Sequence, residues 1–136
     1  MSSTRADLVE AFIPHSPFVG HLGIRLTGLE QDRAEMVLPF GEELATIGDV
    51  VHGGAIATLI DTAGMAAAWA DRSEPGEAAG STIGLSVDFV SAARGEDVTA
   101  EARVIRRGQS LCFCEVDVRG EAGQVVAKGL VTHRFA

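Results

Sequence analysis

The sequence offers little that would support crosslinks, a leader or a polyanionic partner. Only two cysteines occur in 136 residues, Cys112 and Cys114, within "LCFCEVDV". Two positions apart on a strand, they point the same way and are too constrained for an easy mutual disulfide. A metal centre needs more ligands than this pair, and no others stand nearby in the chain. They read as two small packing residues in a reducing compartment. The opening "MSSTRADLVEAF" has no apolar leader core, so a cytoplasmic location is expected. Cations are few: 11 Lys and Arg against 19 Asp and Glu give a net charge of −8, which argues against a nucleic-acid binder. There is no low-complexity run, charge block, internal repeat or linker long enough to divide the chain. A single domain over residues 1–136 is expected, with 1–17 an N-terminal extension or short helix. A chain of this length buries a core without disulfides or metals.

A membrane-spanning run is also missing, since a span needs about 20 apolar residues. The longest candidate lies in "GDVVHGGAIATLIDTAGMAAAWADR". From Ala55 to Ala70 it has sixteen residues, interrupted by Asp61 and ended by "DRSEPGE". Such a segment fits a helix in a protein core. Around it, residues 4–12 suit a short amphipathic helix with Leu8, Val9 and Phe12 inward, and "IPHSPFVGHLG", with its prolines and glycines, reads as loop. Residues 23–40 alternate as two strands around a turn near Glu30–Arg33. The apolar helix runs from about Gly53 to Ala70 and is followed by the polar loop "DRSEPGEAAG". The period then becomes two in "TIGLSVDFV" (Leu85, Val87 and Phe89 on one face), in "DVTAEARVIRR" (Val98, Ala100, Ala102 and Val104), in "SLCFCEVDVR" and in "QVVAKGLVTHRF". Gly95, Gly108 and "RGEAG" punctuate these strands as hairpin connections. One antiparallel sheet on one buried helix, an α+β two-layer domain, is the economical packing. A curled sheet leaves part of that helix uncovered, and a second copy of the chain is the simplest cover.

Two features of the helix carry chemistry. Gly53 and Gly54 open it, where amide groups lack internal partners and carry partial positive charge. Without side chains, they admit a ligand closely enough to form an anion or oxyanion site. Alternatively, the glycines merely permit a tight turn that His52 caps. Asp61 is a lone carboxylate in apolar surroundings, with no Lys or Arg within a turn on either side. Such a group is costly unless satisfied. Either it is a nucleophile or general base facing a cleft, or hydroxyls such as those of Thr58 and Thr62 satisfy it. Gly53 and Asp61 are eight residues apart, roughly 12 Å of helical rise. Asp61 therefore cannot attack a carbonyl held by the Gly53 amide of its own helix. It can attack one held by the Gly53 amide of a neighbouring antiparallel helix, so the two features make one site only across a dimer interface.

The segments "VVHGGAIATLIDTAGMAAA", "GLSVDFV", "ARVIRRGQSLCFCEVDV" and "VAKGLVTHRF" resemble the hotdog-fold acyl-CoA thioesterases of the phenylacetate-pathway (PaaI-like) type. The resemblance runs from about Phe18 to the C-terminus, and its most specific part is HGG with an acidic residue nine positions after the His. It implies a curved antiparallel sheet wrapped around one long helix, in dimers that commonly pair as tetramers. It implies hydrolysis of an acyl-CoA to a free acid and coenzyme A, with no cofactor and no metal. Carried over, Asp61 is nucleophile or general base and the Gly53 amide polarises the thioester carbonyl. His52 shapes the turn, and Ser86 stands near the acid or its water. The hairpin "RRGQS", with Arg106, Arg107, Gln109 and Ser110, meets the phosphates of coenzyme A. Thr46 departs from the pattern: relatives usually carry Asn or Gln there, six residues before the motif His, and Gly48 and Asp49 sit unusually for the loop. The motifs of dehydratases on this fold are not found, whereas a non-catalytic acyl-CoA sensor is the alternative. His15 and His21 read as surface or packing residues. His133, with Arg134, reads as a phosphate contact or a solvated edge, and Arg72 and Arg94 are equally ambiguous. Ala57, Gly64 and Ala68 are small enough to leave space for an aromatic or medium-chain acyl group.

Overall fold

The computed structural model describes residues 3–76 and 79–136. Residues 1–2 of the expected extension and 77–78 of the polar loop lie outside the described residues. Helix α1, Arg5–Phe12, starts on a capping box in which the Thr4 hydroxyl and the Asp7 carboxylate each accept the other's backbone amide. The "IPHSPFVGHLG" stretch is not the expected loop. It forms a 3-10 turn at Ile13–His15 and helix α2, Pro17–Leu22. The prolines that suggested a break occupy the first turns of these pieces, where a missing N–H costs nothing. Gly23, at φ 77°, ends α2. Strands β1, Arg25–Glu30, and β2, Arg33–Leu38, meet at a turn through Asp32. A small ribbon of β3, Ala45–Ile47, and β4, Val50–Val51, delivers the chain to helix α3, Gly53–Ala68. Strands β5, Gly80–Phe89, β6, Val98–Arg107, β7, Leu111–Arg119, and β8, Val125–Phe135, complete the domain.

The six long strands form one antiparallel sheet in the order β1-β2-β6-β7-β8-β5. Helix α3 lies on one face of it, against β2, β5, β6, β7 and β8. Val98, Ala100 and Ala102 face that helix as their alternation predicted, and Cys112 and Cys114 are buried, free packing residues beside them. The approach is close. A Cβ on Gly64 would lie 2.6 Å from Val131, and one on Gly129 would lie 2.5 Å from Ile60. Gly64 and Ala68 therefore serve helix-to-sheet packing and do not make room for a ligand. Sheet cover is incomplete along one stripe of α3, where Gly54 is exposed and Ala57, Thr58, Asp61 and Met65 are half-buried. The neighbouring strand β5 is an edge, so Leu85 and Phe89, on its helix-facing side, remain 45% and 56% exposed.

The C-terminal end of α3 is closed by Arg107. Its Nη1 donates to the Ala68 carbonyl at 2.8 Å and pairs with Asp71, also at 2.8 Å. Its Nη2 and Nε donate to Asp32 at 2.8 and 3.1 Å. A cation at a helix C-terminus complements the partial negative charge there, and Asp71, only 4% exposed, is shared with Arg5. Arg107 thus has no nitrogen left for the coenzyme A phosphates expected of it, whereas Arg106 is exposed and forms no ion pair among the described residues. Arg107→Ala should lower the unfolding free energy by about 1–3 kcal/mol, because it removes one of the two cations on buried Asp71 and uncovers the last carbonyls of α3. Arg106→Ala should change it by less than about 0.5 kcal/mol. Urea titration measures both, and equal small effects would contradict the capping role.

Candidate active site

The start of α3 divides its amides between two uses. His52 is the N-cap: its backbone N–H donates to Leu44, and its Nδ1 accepts from the Gly54 amide at 2.7 Å. The Ala55 and Ile56 amides donate to the His52 carbonyl. The Gly53 amide has no acceptor among the described residues. The two readings of HGG are therefore not exclusive: Gly54 serves the cap, and Gly53 presents an open donor at the positive end of the helix. The approach is close there, since a Cβ on Gly53 would lie 3.2 Å from the Phe89 ring.

Asp61 sits two turns further on, half-buried. The Thr58 and Thr62 hydroxyls do not satisfy it, because each donates to the carbonyl four residues back in the helix, at 2.9 and 2.8 Å. Its partner is Thr82 on β5, whose hydroxyl donates to Oδ1 at 2.7 Å. Oδ2 has no partner among the described residues. Beside this carboxylate opens a cavity of about 610 Å³, within the size range of small-molecule sites. Leu8 and Phe12 of α1, Met65 and Trp69 beyond Asp61, and His133 of β8 line it. Phe12, expected in the core, instead faces this space and is 54% exposed. Gly53 and His52 are not in the wall.

Of the other expected site residues, Thr46 is exposed on β3 and its side chain makes no hydrogen bond among the described residues. Ser86 pairs with Leu130 on the outer face, while its neighbours Leu85 and Val87 pair with Val131 and Gly129, which face α3. It is therefore not brought to Asp61. Thr82, missed in the sequence, takes that place. Counting back in steps of two from Val87 assigns Thr82 to the outer face, but a bulge between Thr82 and Gly84 reverses the alternation. Gln109 and Ser110 are exposed beside Arg106 in the β6–β7 turn, far from the α3 start in sequence and joined to it by no hydrogen bond among the described residues. His15 and His21 are exposed.

His133 is neither a phosphate contact nor a solvated edge: it is 2% exposed, and its Nε2 accepts from Trp69 Nε1–H at 2.8 Å. Burial lowers its pKa below the ordinary 6.5, against the opposing pull of Asp61 and with a smaller push from Arg5. A group whose folded pKa is depressed gives stability that is complete above the unfolded value and is lost as pH falls toward the folded one. Unfolding midpoints should therefore drop as pH falls below about 6.5. In His133→Gln, which keeps an acceptor for Trp69, the drop should be smaller; an identical pH slope in thermal melts would contradict this.

Comparison with known proteins gives a consistent answer. A family model described as the thioesterase superfamily matches residues 48–127. Human acyl-coenzyme A thioesterase 13 is 28% identical over 133 residues, 95% of this chain and 92% of that protein. A thioesterase family protein of Silicibacter pomeroyi superposes with a TM-score of 0.87 at 26% identity, covering 96% of each chain. The Escherichia coli PaaI protein of the phenylacetic acid degradation operon superposes with a TM-score of 0.83, over 97% of this chain and 94% of that one. At 18% identity, that last likeness speaks to the fold alone, and the fold is the hotdog arrangement of sheet and central helix.

Proposed function

Because this chain belongs to the thioesterase superfamily, we propose that it hydrolyses an acyl-CoA thioester to a free acid and coenzyme A, with Asp61 as the catalytic carboxylate. The observation that carries this reading is the state of Asp61: one oxygen fixed by Thr82, the other unpartnered beside a largely apolar cavity. Oδ2 acts in either of two ways. As general base it takes a proton from water as that water attacks the thioester carbonyl. As nucleophile it forms a mixed anhydride that water then opens. In both, the carbon–sulfur bond breaks and coenzyme A leaves as a thiol. Thr82 holds the carboxylate's direction, so Oδ2 and not Oδ1 meets the substrate.

Negative charge on the carbonyl oxygen needs a donor, and the open Gly53 amide at a helix start is suited to it. The rise of about 12 Å along α3 rules out that amide in the same chain as the attacking Asp61. A second copy, with its α3 antiparallel, supplies it. The uncovered stripe of α3 and the open, apolar edge of β5 support such a pairing, and a homodimer is the minimal active unit, with pairing of dimers into a tetramer as in the resembled family. Arg106, with Gln109 and Ser110, is the remaining exposed group for the phosphates of coenzyme A. Thr46 lies on the ribbon just before α3, its hydroxyl free to hold water. No helix among the described residues is long and apolar enough to cross a membrane.

A non-hydrolysing acyl-CoA binder is the second reading, favoured by the short side chain at Thr46. Thiol release over a panel of aromatic and medium-chain acyl-CoAs decides between them. Asp61→Asn should fold and lose on the order of a hundredfold or more in turnover. Thr82→Val should lose about tenfold, since it misplaces the carboxylate without removing it. Unchanged turnover in a folded Asp61→Asn variant would sink the assignment, and no thiol release from the native protein would favour the binder.

A further inference from the structure

The two sides of the cavity beside Asp61 are built very differently. One side is Asp61, Met65 and Trp69 on α3 and just after it, and that helix packs tightly on the sheet. The other is Leu8, Val9 and Phe12 of α1. A helix of eight residues is marginal by itself, and Val9 is the only fully buried side chain of α1. Its first turn makes the polar attachments. The Arg5 amide donates to the Ser73 carbonyl at 3.0 Å and the Ala6 amide to the Asp71 carbonyl at 3.1 Å. The Arg5 guanidinium lies 3.6 Å above the centre of the Phe135 ring and pairs with Asp71 at 3.2 Å. At the other end, α1 runs directly into the Ile13–His15 turn, where Ile13 is buried. The helix thus has a polar latch at its start and an apolar pivot at its end, with the cavity behind it.

We propose, resting on the thioesterase reading above, that α1 is a cover that swings about Ile13 to admit and release substrate, and that Arg5 is the positioning residue that latches it on Asp71 and Phe135. Two features make the latch releasable. Asp71 keeps Arg107 at 2.8 Å when Arg5 leaves, so opening strands no buried carboxylate. Arg5 Nε is buried without a hydrogen-bond partner among the described residues, a cost of the closed position that water removes on opening. Arg5 touches no reacting group. It acts through Leu8 and Phe12, whose closure shields the apolar part of a bound molecule from water. The coenzyme A portion, with its charged phosphates, stays outside that apolar space and does not depend on the latch.

Hydrogen exchange read by mass spectrometry tests the cover, and kinetics test the latch. In the native protein the α1 amides should exchange at least about tenfold faster than those of β6 and β7. They should slow when phenylacetate fills the cavity, an occupancy that the fluorescence of Trp69 reports, since it is the only tryptophan in the sequence and lines the space. Arg5→Met keeps the bulk of the stem without the charge. It should speed α1 exchange about tenfold further and leave β6 and β7 unchanged. KM for phenylacetyl-CoA and hexanoyl-CoA should rise about 5- to 20-fold, with kcat within about twofold of native. The inhibition constant of free coenzyme A should not move. Arg5→Lys, which keeps a charge for Asp71, should restore part of both the protection and the KM. Native α1 amides as protected as those of the sheet, or an inhibition constant for coenzyme A that rises in step with KM in Arg5→Met, overturns the proposal. If Arg5→Met does not fold, native exchange and its response to phenylacetate decide alone. An absence of thiol release from every thioester would overturn the hydrolase reading, and the exchange measurements would still decide whether α1 opens.

Discussion

One helix carries both the open amide and the lone carboxylate, at a separation that a rigid rod cannot close. The rise of an α-helix puts Gly53 and Asp61 roughly 12 Å apart, and α3 is pinned to the sheet along nearly its whole length, so it cannot bend to bring them together. Gly64 against Val131 and Gly129 against Ile60 leave no slack at that contact. Under the proposed function, a single chain then offers two half-sites. The uncovered stripe of α3, with Asp61 on it, and the exposed Leu85 and Phe89 of edge strand β5 form the surface on which the missing half would arrive.

The same helix organises the polar groups around it by position. At its start, His52 takes the Gly54 amide, and the Gly53 amide before it has no acceptor among the described residues. In its middle, Thr58 and Thr62 turn their hydroxyls back onto the helix, so Asp61 depends on the sheet, through Thr82, for its one side-chain hydrogen bond among the described residues. At its end, Arg107 closes the last carbonyls and joins Asp32 and Asp71 beneath them. Past that end, Trp69 holds His133 in a fixed tautomer in the same cavity that Asp61 borders. The cavity owes its outer wall to α1, which Arg5 ties to Asp71 at 3.2 Å. Structural and chemical roles alternate along one element, and charge that looks available in the sequence is partly committed to architecture.

Much of this was readable from residues alone. Period-two strands, the apolar run and its interruption at Asp61 sufficed for the layer architecture and the central helix, because burial patterns are local and the alternation of Val98, Ala100 and Ala102 is unbroken. What escaped depended on events that leave no local mark. The bulge in β5 turns Thr82 to the helix-facing side while Ser86 stays on the outer face, a change of one residue in register that composition does not announce. Arg107 and Arg106 are adjacent and chemically alike, yet only the inward one meets a helix end, and the bulge between Val104 and Arg106 helps set which one that is. His133 looked like the end of an edge strand. It is interior because β5, distant in sequence, pairs beyond β8 and takes the edge position itself. The prolines at 14 and 17, with their neighbouring glycines, suggest a loop, although each sits in the first turn of a short helical piece.

The shared site can be tested without any further structural information. Two inactive variants are needed: Asp61→Asn, and Gly53→Val, whose side chain would press on Phe89 and block the open amide. Each alone should be inactive. Mixed, dissociated and reassembled at equal concentration, they give about half mixed dimers, in which one of the two sites combines an intact Asp61 with an intact Gly53 from the other chain. Mass spectrometry of differently tagged chains confirms that mixed dimers have formed. Recovery of about a quarter of native activity is expected if the site is built from two copies. Mixed dimers without recovered activity would show that a single chain holds the whole site, and would contradict the division of labour along α3.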